Sequence, residues 1–329
     1  MLSSDAPRRG PRSLGVLGLR VMAFAGLVIP GAVYVERSLS AIPNSYSVKR
    51  DAMLDKAAEL QVVVLGASTT LRGVRPKLFR VPAYNLADAS ESIYFAAQNL
   101  DRYLSGMRSL RSVIWVIDYS SFASWFSNNP EYWRQYFYER VDGFSPEGPL
   151  DEFDIRRWSW FFLYTPLVSL DLLLGNDRNE LVKDIGTDGW QRTTGTSPTL
   201  TAAGGIEKLA YLTKLMRDET IPLNIAILDR SLDLLRQREV ATALVVLPVY
   251  RTYSSAINPR SRARMIEALR ALATRHGATY VDYFEDERFG IDDFKDNDHL
   301  NETGATKISR ILDEQVVAPA VMGPRRWRE

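Results

Sequence analysis

Short apolar runs recur along the chain and predict the strands of a buried sheet. The first is QVVVL at 61–65, and similar runs follow at 83–86, 113–118, 241–249 and 279–283. They are rich in β-branched residues, and few polar residues alternate with the apolar ones, which is typical of parallel strands covered on both faces.

Helical patterns separate these runs. Apolar side chains share one helix face in three segments: Ile93, Ala97, Leu100 and Leu104; Met265, Leu269, Leu272 and His276; and Ile308, Ile311, Leu312 and Val316. Strands that alternate with helices predict an α/β fold with a doubly wound parallel sheet of about five strands. Ligands of such sheets bind beyond the carboxyl ends of the strands.

The interval from about 120 to 221 interrupts this alternation. It carries five of the seven tryptophans and has no simple period. We expect an inserted helical subdomain there, forming a lid or a substrate-binding surface over the sheet. The alternative for each aromatic residue is ordinary core packing.

The N-terminal segment predicts a membrane anchor. Residues 14–35 are apolar except for Arg20, and Arg8, Arg9 and Arg12 precede them. About 20 apolar residues cross a bilayer, and the positive flank places the N-terminus in the cytoplasm. A cleaved signal peptide stays open, because small residues stand at 38–41.

These boundaries predict three regions. Residues 1–40 form a cytoplasmic stub and anchor, 41–320 form the α/β domain with its insertion, and 321–329 form a disordered basic tail. The protein is then a single-pass protein of the cytoplasmic (inner) membrane with a periplasmic domain.

Composition removes several function classes. Forty-one basic and forty acidic residues give a net charge of +1, so nucleic acid is not expected as a partner. The absence of cysteine excludes disulfides, thiolate zinc sites and cysteine nucleophiles. Two histidines leave little for a metal site, and no Gly-rich phosphate loop follows the first strand. We therefore expect no metal and no cofactor.

The first strand ends in LGASTTLRG, 65–73, where Ser68 follows a Gly-x turn and is placed like a nucleophile. Its base would be His299, because His276 lies on the apolar face of a helix and is expected to be structural. Asp296 stands three residues before His299, close enough in a turn to accept its Nδ1–H. The adjacent Asp298 is expected to point away and is the weaker candidate.

These motifs resemble the SGNH (GDSL-like) hydrolase superfamily. The stretch 66–68, with Gly73 further on, is similar to its first block, and DNDHLN at 296–301 is similar to its last block. Within it, the chain looks like the membrane-anchored, extracytoplasmic branch related to alginate-type O-acetyltransferases and to the D-alanyl transfer protein of teichoic acid synthesis. The resemblance implies a flavodoxin-like three-layer sandwich, with Ser68, His299 and Asp296 as a catalytic triad.

Two blocks depart from the superfamily pattern. YNLADAS, with Asn85 and Ala87, stands where an oxyanion glycine is usual, and VIWVIDYSS offers Asp118 without the usual asparagine. We expect the Ser68 and Ala87 amides to serve, with help from Asn85. Arg72 is expected either to bind a substrate oxygen or to form a surface salt bridge.

The sequence thus predicts serine-dependent ester chemistry through an acyl-enzyme, by an esterase (deacylase) or an O-acyltransferase. An acylated cell-surface glycan is the expected substrate, with an acyl lipid as alternative, and polysaccharide-synthesis proteins are expected partners. Losing one oxyanion donor costs about 2.7 to 4 kcal/mol of transition-state stabilisation. The rival hypothesis is therefore a non-catalytic SGNH-like binding or assembly subunit of a cell-envelope polysaccharide system.

Overall fold

The computed structural model describes residues 11–126, 129–175 and 178–323, with side chains from residue 15 onward. The expectations about Arg8, Arg9 and the basic tail beyond 323 lie outside these residues, as does the side chain of Arg12. The chain forms two compact units. One comprises 1–42 and 151–179, and the other comprises 43–150 and 180–329.

Five parallel strands form the sheet of the larger unit. They are β1 Val62–Leu65, β2 Ala83–Asn85, β3 Ser112–Val116, β4 Ala241–Val246 and β5 Thr279–Asp282. Their order is β2–β1–β3–β4–β5, and Val64 lies opposite Asn85 in β2 and Ile114 in β3. This order is the flavodoxin-like one, so the predicted α/β fold with five parallel strands is confirmed. Every apolar run noted in the sequence overlaps one of these strands.

Helices connect the strands and also form the smaller unit. In chain order they are α1 Pro11–Ser40, α2 Ser45–Lys56, α3 Ser68–Gly73, α4 Ile93–Tyr103, α5 Gln135–Asp142, α6 Ile155–Trp158, α7 Trp160–Leu163, α8 Pro166–Leu173, α9 Ala202–Thr213, α10 Ile221–Gln237, α11 Arg251–Ser254, α12 Pro259–His276, α13 Glu302–Leu312 and α14 Ala318–Met322. Short 3₁₀ turns lie at Pro76–Leu78, Ser121–Ala123, Tyr132–Arg134, Asp218–Thr220 and Ile291–Asp293, and a π-helical turn at Asp313–Val317 joins α13 to α14.

The sheet is covered on both faces, which accounts for its continuous apolar strands. Val63, Leu65 and Trp115 face one apolar cluster, which includes side chains of α2, α4, α10 and α12. Val62 and Val64 face a second cluster, which includes side chains of α13 and α14. Because successive strand residues point to opposite faces, each face has its own core.

Three boundaries differ from the sequence expectations. Residues 41–60, where the apolar pattern predicts no element, contain α2, whose buried stripe of Tyr46, Lys49 and Met53 includes a lysine and therefore gives a weak apolar signal. The interval 120–221 has no strand among its described residues, but it does not form one unit of its own, because 151–179 groups with the N-terminal helix. The last helix continues to Met322, within the predicted disordered tail, and buries Val321.

The smaller unit contains α1, α6, α7 and α8. Within residues 15–40 of α1, the most apolar window of 18 residues has a mean hydropathy of 2.0 and contains no buried residue. By length and composition this helix could cross a membrane, as an anchor or as a signal sequence.

Candidate active site

Ser68 lies at the carboxyl end of β1, as the first residue of α3. The turn between them depends on Gly66, whose φ of +149° is rarely adopted by residues with a side chain. A Cβ at this position would also lie 2.9 Å from the Val116 carbonyl oxygen and would collide with the Thr70 side chain. The glycine therefore allows the close passage of β1 into α3 that presents Ser68.

A hydrogen-bonded chain links the three predicted triad residues. Ser68 Oγ lies 2.9 Å from His299 Nε2. On the other side of the ring, His299 Nδ1 lies 2.9 Å from Asp296 Oδ1. The same Oδ1 accepts the backbone N–H of His299 at 3.0 Å, which fixes the turn that carries the imidazole. His299 is buried, so its ring is held between nucleophile and carboxylate.

A second carboxylate differs from the sequence expectation. Asp298 does not point away, because its Oδ1 lies 3.0 Å from His299 Nδ1 and 2.8 Å from Lys208 Nζ of α9. Burial by itself would lower the pKa of His299, but the Asp298 charge and the hydrogen bonds to the two aspartates outweigh it and raise that pKa to about 9. Burial by itself would raise the pKa of Asp298, yet His299 and Lys208 hold it well below its usual range.

The two expected donors of the second block are already engaged. The Asn85 side chain donates to the carbonyl oxygens of Thr70, at 2.9 Å, and Val74, at 2.8 Å. Its Oδ1 accepts the Ala87 N–H at 3.0 Å. In this arrangement neither Asn85 nor the Ala87 amide points a hydrogen at a substrate. Ser68 is the first residue of α3, and a helix leaves its first N–H groups without an intrahelical acceptor, so the Ser68 N–H remains a candidate oxyanion donor.

Buried charges support the turn that carries Ala87. Lys49 of α2 donates to the Ala87 carbonyl oxygen and lies 3.8 Å from Asp88. Glu91 accepts the Asp88 N–H at 2.6 Å and a hydrogen bond from Asn99 at 2.9 Å. Burial lowers the pKa of Lys49. Burial also raises the pKa of Glu91 to about 8, although the Lys49 charge opposes this rise. This cluster holds the turn in place and has no contact with Ser68 of its own.

Asp118 follows β3 and acts as an acceptor. Its carboxylate accepts from the Ser121 N–H at 2.7 Å, from Ser120 Oγ at 2.8 Å and from Thr69 Oγ1 at 3.4 Å. A carboxylate that accepts three hydrogen bonds cannot donate to an oxyanion. Asp118 instead ties the loop after β3 to the residue that follows Ser68.

Arg72 lies one helical turn after Ser68 on α3, and its Nε donates to Gln191 Oε1 at 3.3 Å rather than to a carboxylate. The indole N–H of the buried Trp190 donates to the backbone carbonyl oxygen of Arg72 at 2.7 Å. Arg72 lines a cleft of about 560 Å³ that reaches Asp296. The other lining residues are polar: Asp184, Gln191, Arg192, Thr193, Thr194 and Lys295.

The remaining histidine and the possible metal ligands lead to no second site. His276 is the last residue of α12, and its Nε2 lies 2.8 Å from Asp229 of α10. The cleft of about 830 Å³ beside it borders the amino ends of β4 and β5, opposite the edge of the sheet that carries Ser68. In the described part of the chain, Asp296, Asp298 and His299 are the cluster whose ligand atoms could share a cation. The ion pairs among them and the Lys208 ammonium already account for these carboxylates.

Sequence reasoning missed Lys208 and Lys49. Each is a single lysine on a helix, and nothing in its neighbours distinguishes it from a solvated surface lysine. Only the packing of α9 beside Asp298, and of α2 beneath Ala87, gives these charges a place at the site.

Comparison with known proteins adds little to this geometry. No family model matches the chain, and no curated protein is significantly similar to it in sequence. Among solved structures it is similar to one described as "a putative platelet activating factor from Streptococcus pneumonia", with a TM-score of 0.42 and 14% identity over 89% of this chain and 98% of that chain.

Proposed function

We propose that this protein carries out serine-dependent ester chemistry, as an esterase (deacylase) or an O-acyltransferase of the SGNH type. The observation that carries the proposal is the continuous chain from Ser68 Oγ through His299 to Asp296, with contacts of 2.9 Å on each side of the ring. A nucleophile, a base and a group that orients the base within hydrogen-bond reach are the requirements of this chemistry.

The reaction proceeds in two halves. Ser68 Oγ attacks the acyl carbonyl carbon while His299 Nε2 takes the hydroxyl proton, and Asp296 holds the Nδ1–H. The tetrahedral intermediate collapses when His299 returns the proton to the departing alcohol oxygen, which leaves an acyl ester on Ser68. Water or a sugar hydroxyl then attacks this ester by the same steps in reverse, and Ser68 is restored.

The cleft beside Asp296 favours a glycan over an acyl lipid as substrate. Arg72, Arg192, Lys295 and two threonines line it, so it offers hydrogen-bond donors and acceptors rather than apolar surface. Such a lining suits a hydroxyl-rich or anionic sugar chain. Proteins that synthesise cell-envelope polysaccharides are the corresponding partners.

The proposed location is the extracytoplasmic side of a membrane, with α1 as an uncleaved anchor. Glu36, near the end of α1, accepts the Trp160 N–H at 2.7 Å and a hydrogen bond from Ser159 Oγ. Cleavage at 38–41 would remove this carboxylate and leave the start of α7 without its acceptor. N-terminal sequencing of the protein isolated from membranes distinguishes an anchor from a cleaved signal.

The test compares p-nitrophenyl acetate turnover by the full chain with that of Ser68→Ala and His299→Ala. Two matched controls are Ser120→Ala and His276→Gln. In the wild type, Ser120 donates a hydrogen bond to Asp118, and His276 pairs with Asp229. We expect turnover and fluorophosphonate labelling to be lost in the first pair and kept in the second. Mass spectrometry of an added oligosaccharide then separates transfer to sugar from hydrolysis.

A non-catalytic binding or assembly role is the second candidate. The observation in its favour is the engagement of Asn85 and the Ala87 N–H with other protein groups. Absent turnover and absent labelling of Ser68, with or without a glycan acceptor, would support this role and refute the enzymatic proposal.

A further inference from the structure

Residues 151–174, which contain α6, α7 and α8, expose an unusual amount of apolar surface. We call this segment the apolar hairpin. Leu167, Leu170 and Leu174 are 82%, 50% and 81% exposed, and their i, i+3, i+7 spacing puts them on one face at α8. Five more large apolar side chains of the hairpin are exposed: Phe153, Ile155, Trp158, Phe162 and Val168.

The described residues of the larger unit differ sharply from the hairpin. Over a tenfold longer stretch of chain, their exposed large apolar side chains are scattered singly, at Leu54, Ile206, Tyr211, Leu223, Ile291 and Met322. Single exposed apolar residues are ordinary, whereas a continuous patch marks a site of interaction. The hairpin is therefore the segment whose surface needs a partner.

The hairpin is attached to the end of α1 and is internally ordered. Besides its bonds to Ser159 and Trp160, Glu36 accepts the Phe161 N–H at 3.4 Å. Ser169 is fully buried, and its Oγ donates to the Phe161 carbonyl oxygen at 2.7 Å, which locks α8 onto α7. The exposed leucines thus belong to a packed structure and do not lie on a loose loop.

The attachment point fixes the depth of the hairpin relative to a membrane. From Gly15 to Val35, α1 rises about 30 Å, which matches the hydrocarbon core of a bilayer. Apart from the half-buried Ala25, its residues are exposed from Gly15 to Tyr34, and partial burial resumes at Val35. Glu36 therefore lies at the headgroup level when α1 spans the bilayer, and the hairpin bound to it lies at the same level.

We propose that the apolar hairpin is embedded in the headgroup and upper acyl region of the extracytoplasmic leaflet, as a second membrane contact beside α1. This inference rests on the proposed anchor. Tryptophan is typical of this depth, and helices that lie at the interface bury tryptophan, phenylalanine and leucine side chains there.

Spin labels test the proposal directly, because the chain has no cysteine and single-cysteine variants need no background changes. Full-length Leu167→Cys, Leu170→Cys and Leu174→Cys are labelled with a nitroxide and reconstituted in vesicles of phosphatidylcholine and phosphatidylglycerol. Collision rates are measured with oxygen, which enters the bilayer, and with a nickel chelate, which stays in water. Leu54→Cys is the matched control for an exposed leucine of the larger unit, and Phe24→Cys is the control for the span.

We expect the ratio of oxygen to nickel collisions at the three hairpin positions to exceed that at Leu54→Cys several-fold and to approach that at Phe24→Cys. If the hairpin labels behave like Leu54→Cys while Phe24→Cys is lipid-exposed, the hairpin inference is wrong and the anchor stands. If Phe24→Cys is also in water, the anchor itself is wrong. Hairpin labels hidden from both reagents would indicate a protein partner and overturn the inference.

Discussion

The charge of Asp298 controls the protonation of the proposed base, and replacing it gives a sharp test. A pKa of about 9 for His299 means that only about one molecule in a hundred carries the neutral imidazole at pH 7. A general base must be neutral before it accepts a proton. Turnover by the wild type should therefore rise with pH until about pH 9.

The size of the shift that Asp298 causes in the His299 pKa follows from the contacts of its carboxylate. Asp298 Oδ1 lies 3.0 Å from His299 Nδ1, and two unit charges at that distance interact by about 5 kcal/mol at an effective dielectric constant of about 20. Lys208, 2.8 Å from the same oxygen, opposes part of this attraction. We expect Asp298→Asn to move the His299 titration midpoint to lower pH by about 1 to 2 pH units.

The raised pKa of His299 also makes the stability of the fold depend on pH. A histidine pKa raised above the ordinary 6.5 stabilises the folded protein fully below pH 6.5, and this contribution is lost as the pH rises through about 9. Asp298→Asn should therefore weaken the fall in the free energy of unfolding between pH 6.5 and pH 9.

The assay is NMR titration of ring-labelled histidine in the full chain in detergent. The chain has two histidines, and His276→Gln assigns both signals. Asp292→Asn is the matched control, because Asp292 is an exposed aspartate that precedes the same turn. In this variant the titration midpoint of His299 should equal that of the wild type. A wild-type His299 midpoint at or below 6.5, or an Asp298→Asn midpoint equal to that of the wild type, would refute this electrostatic account.

Three further changes test the site. Asp296→Asn should lower turnover about 10³- to 10⁴-fold at every pH, since the ring loses the acceptor that orients it; a loss confined to low pH would contradict this role. Gly66→Ala should abolish turnover and lower the free energy of unfolding by about 1 to 3 kcal/mol, whereas Gly290→Ala, whose Cβ meets open space, should do neither in the same esterase and thermal unfolding assays. Lys49→Met should lower the free energy of unfolding by about 3 to 5 kcal/mol in urea titrations, because it leaves the buried Asp88 carboxylate without its cation; an unchanged midpoint would show that this charge pair does not stabilise the fold.

The sequence by itself determined the sheet and the order of the candidate catalytic motifs along it. Strands buried on both faces are apolar throughout, so the five runs stand out without any knowledge of their neighbours. The triad candidates could be identified because the chain has only two histidines and one of them follows an aspartate by three residues, a local spacing that a turn brings together.

Tertiary structure decided what surrounds those residues. Lys208 and Lys49 take their roles from contacts between elements distant in sequence, and one-dimensional patterns carry no record of such contacts. The sequence also could not show that Asn85, an expected oxyanion donor, is already engaged, because its amide donates to the carbonyl oxygens of Thr70 and Val74. The aromatic residues of the hairpin at 151–174 cannot by themselves show which unit they pack against, and Glu36 supplies that connection from far upstream in the chain.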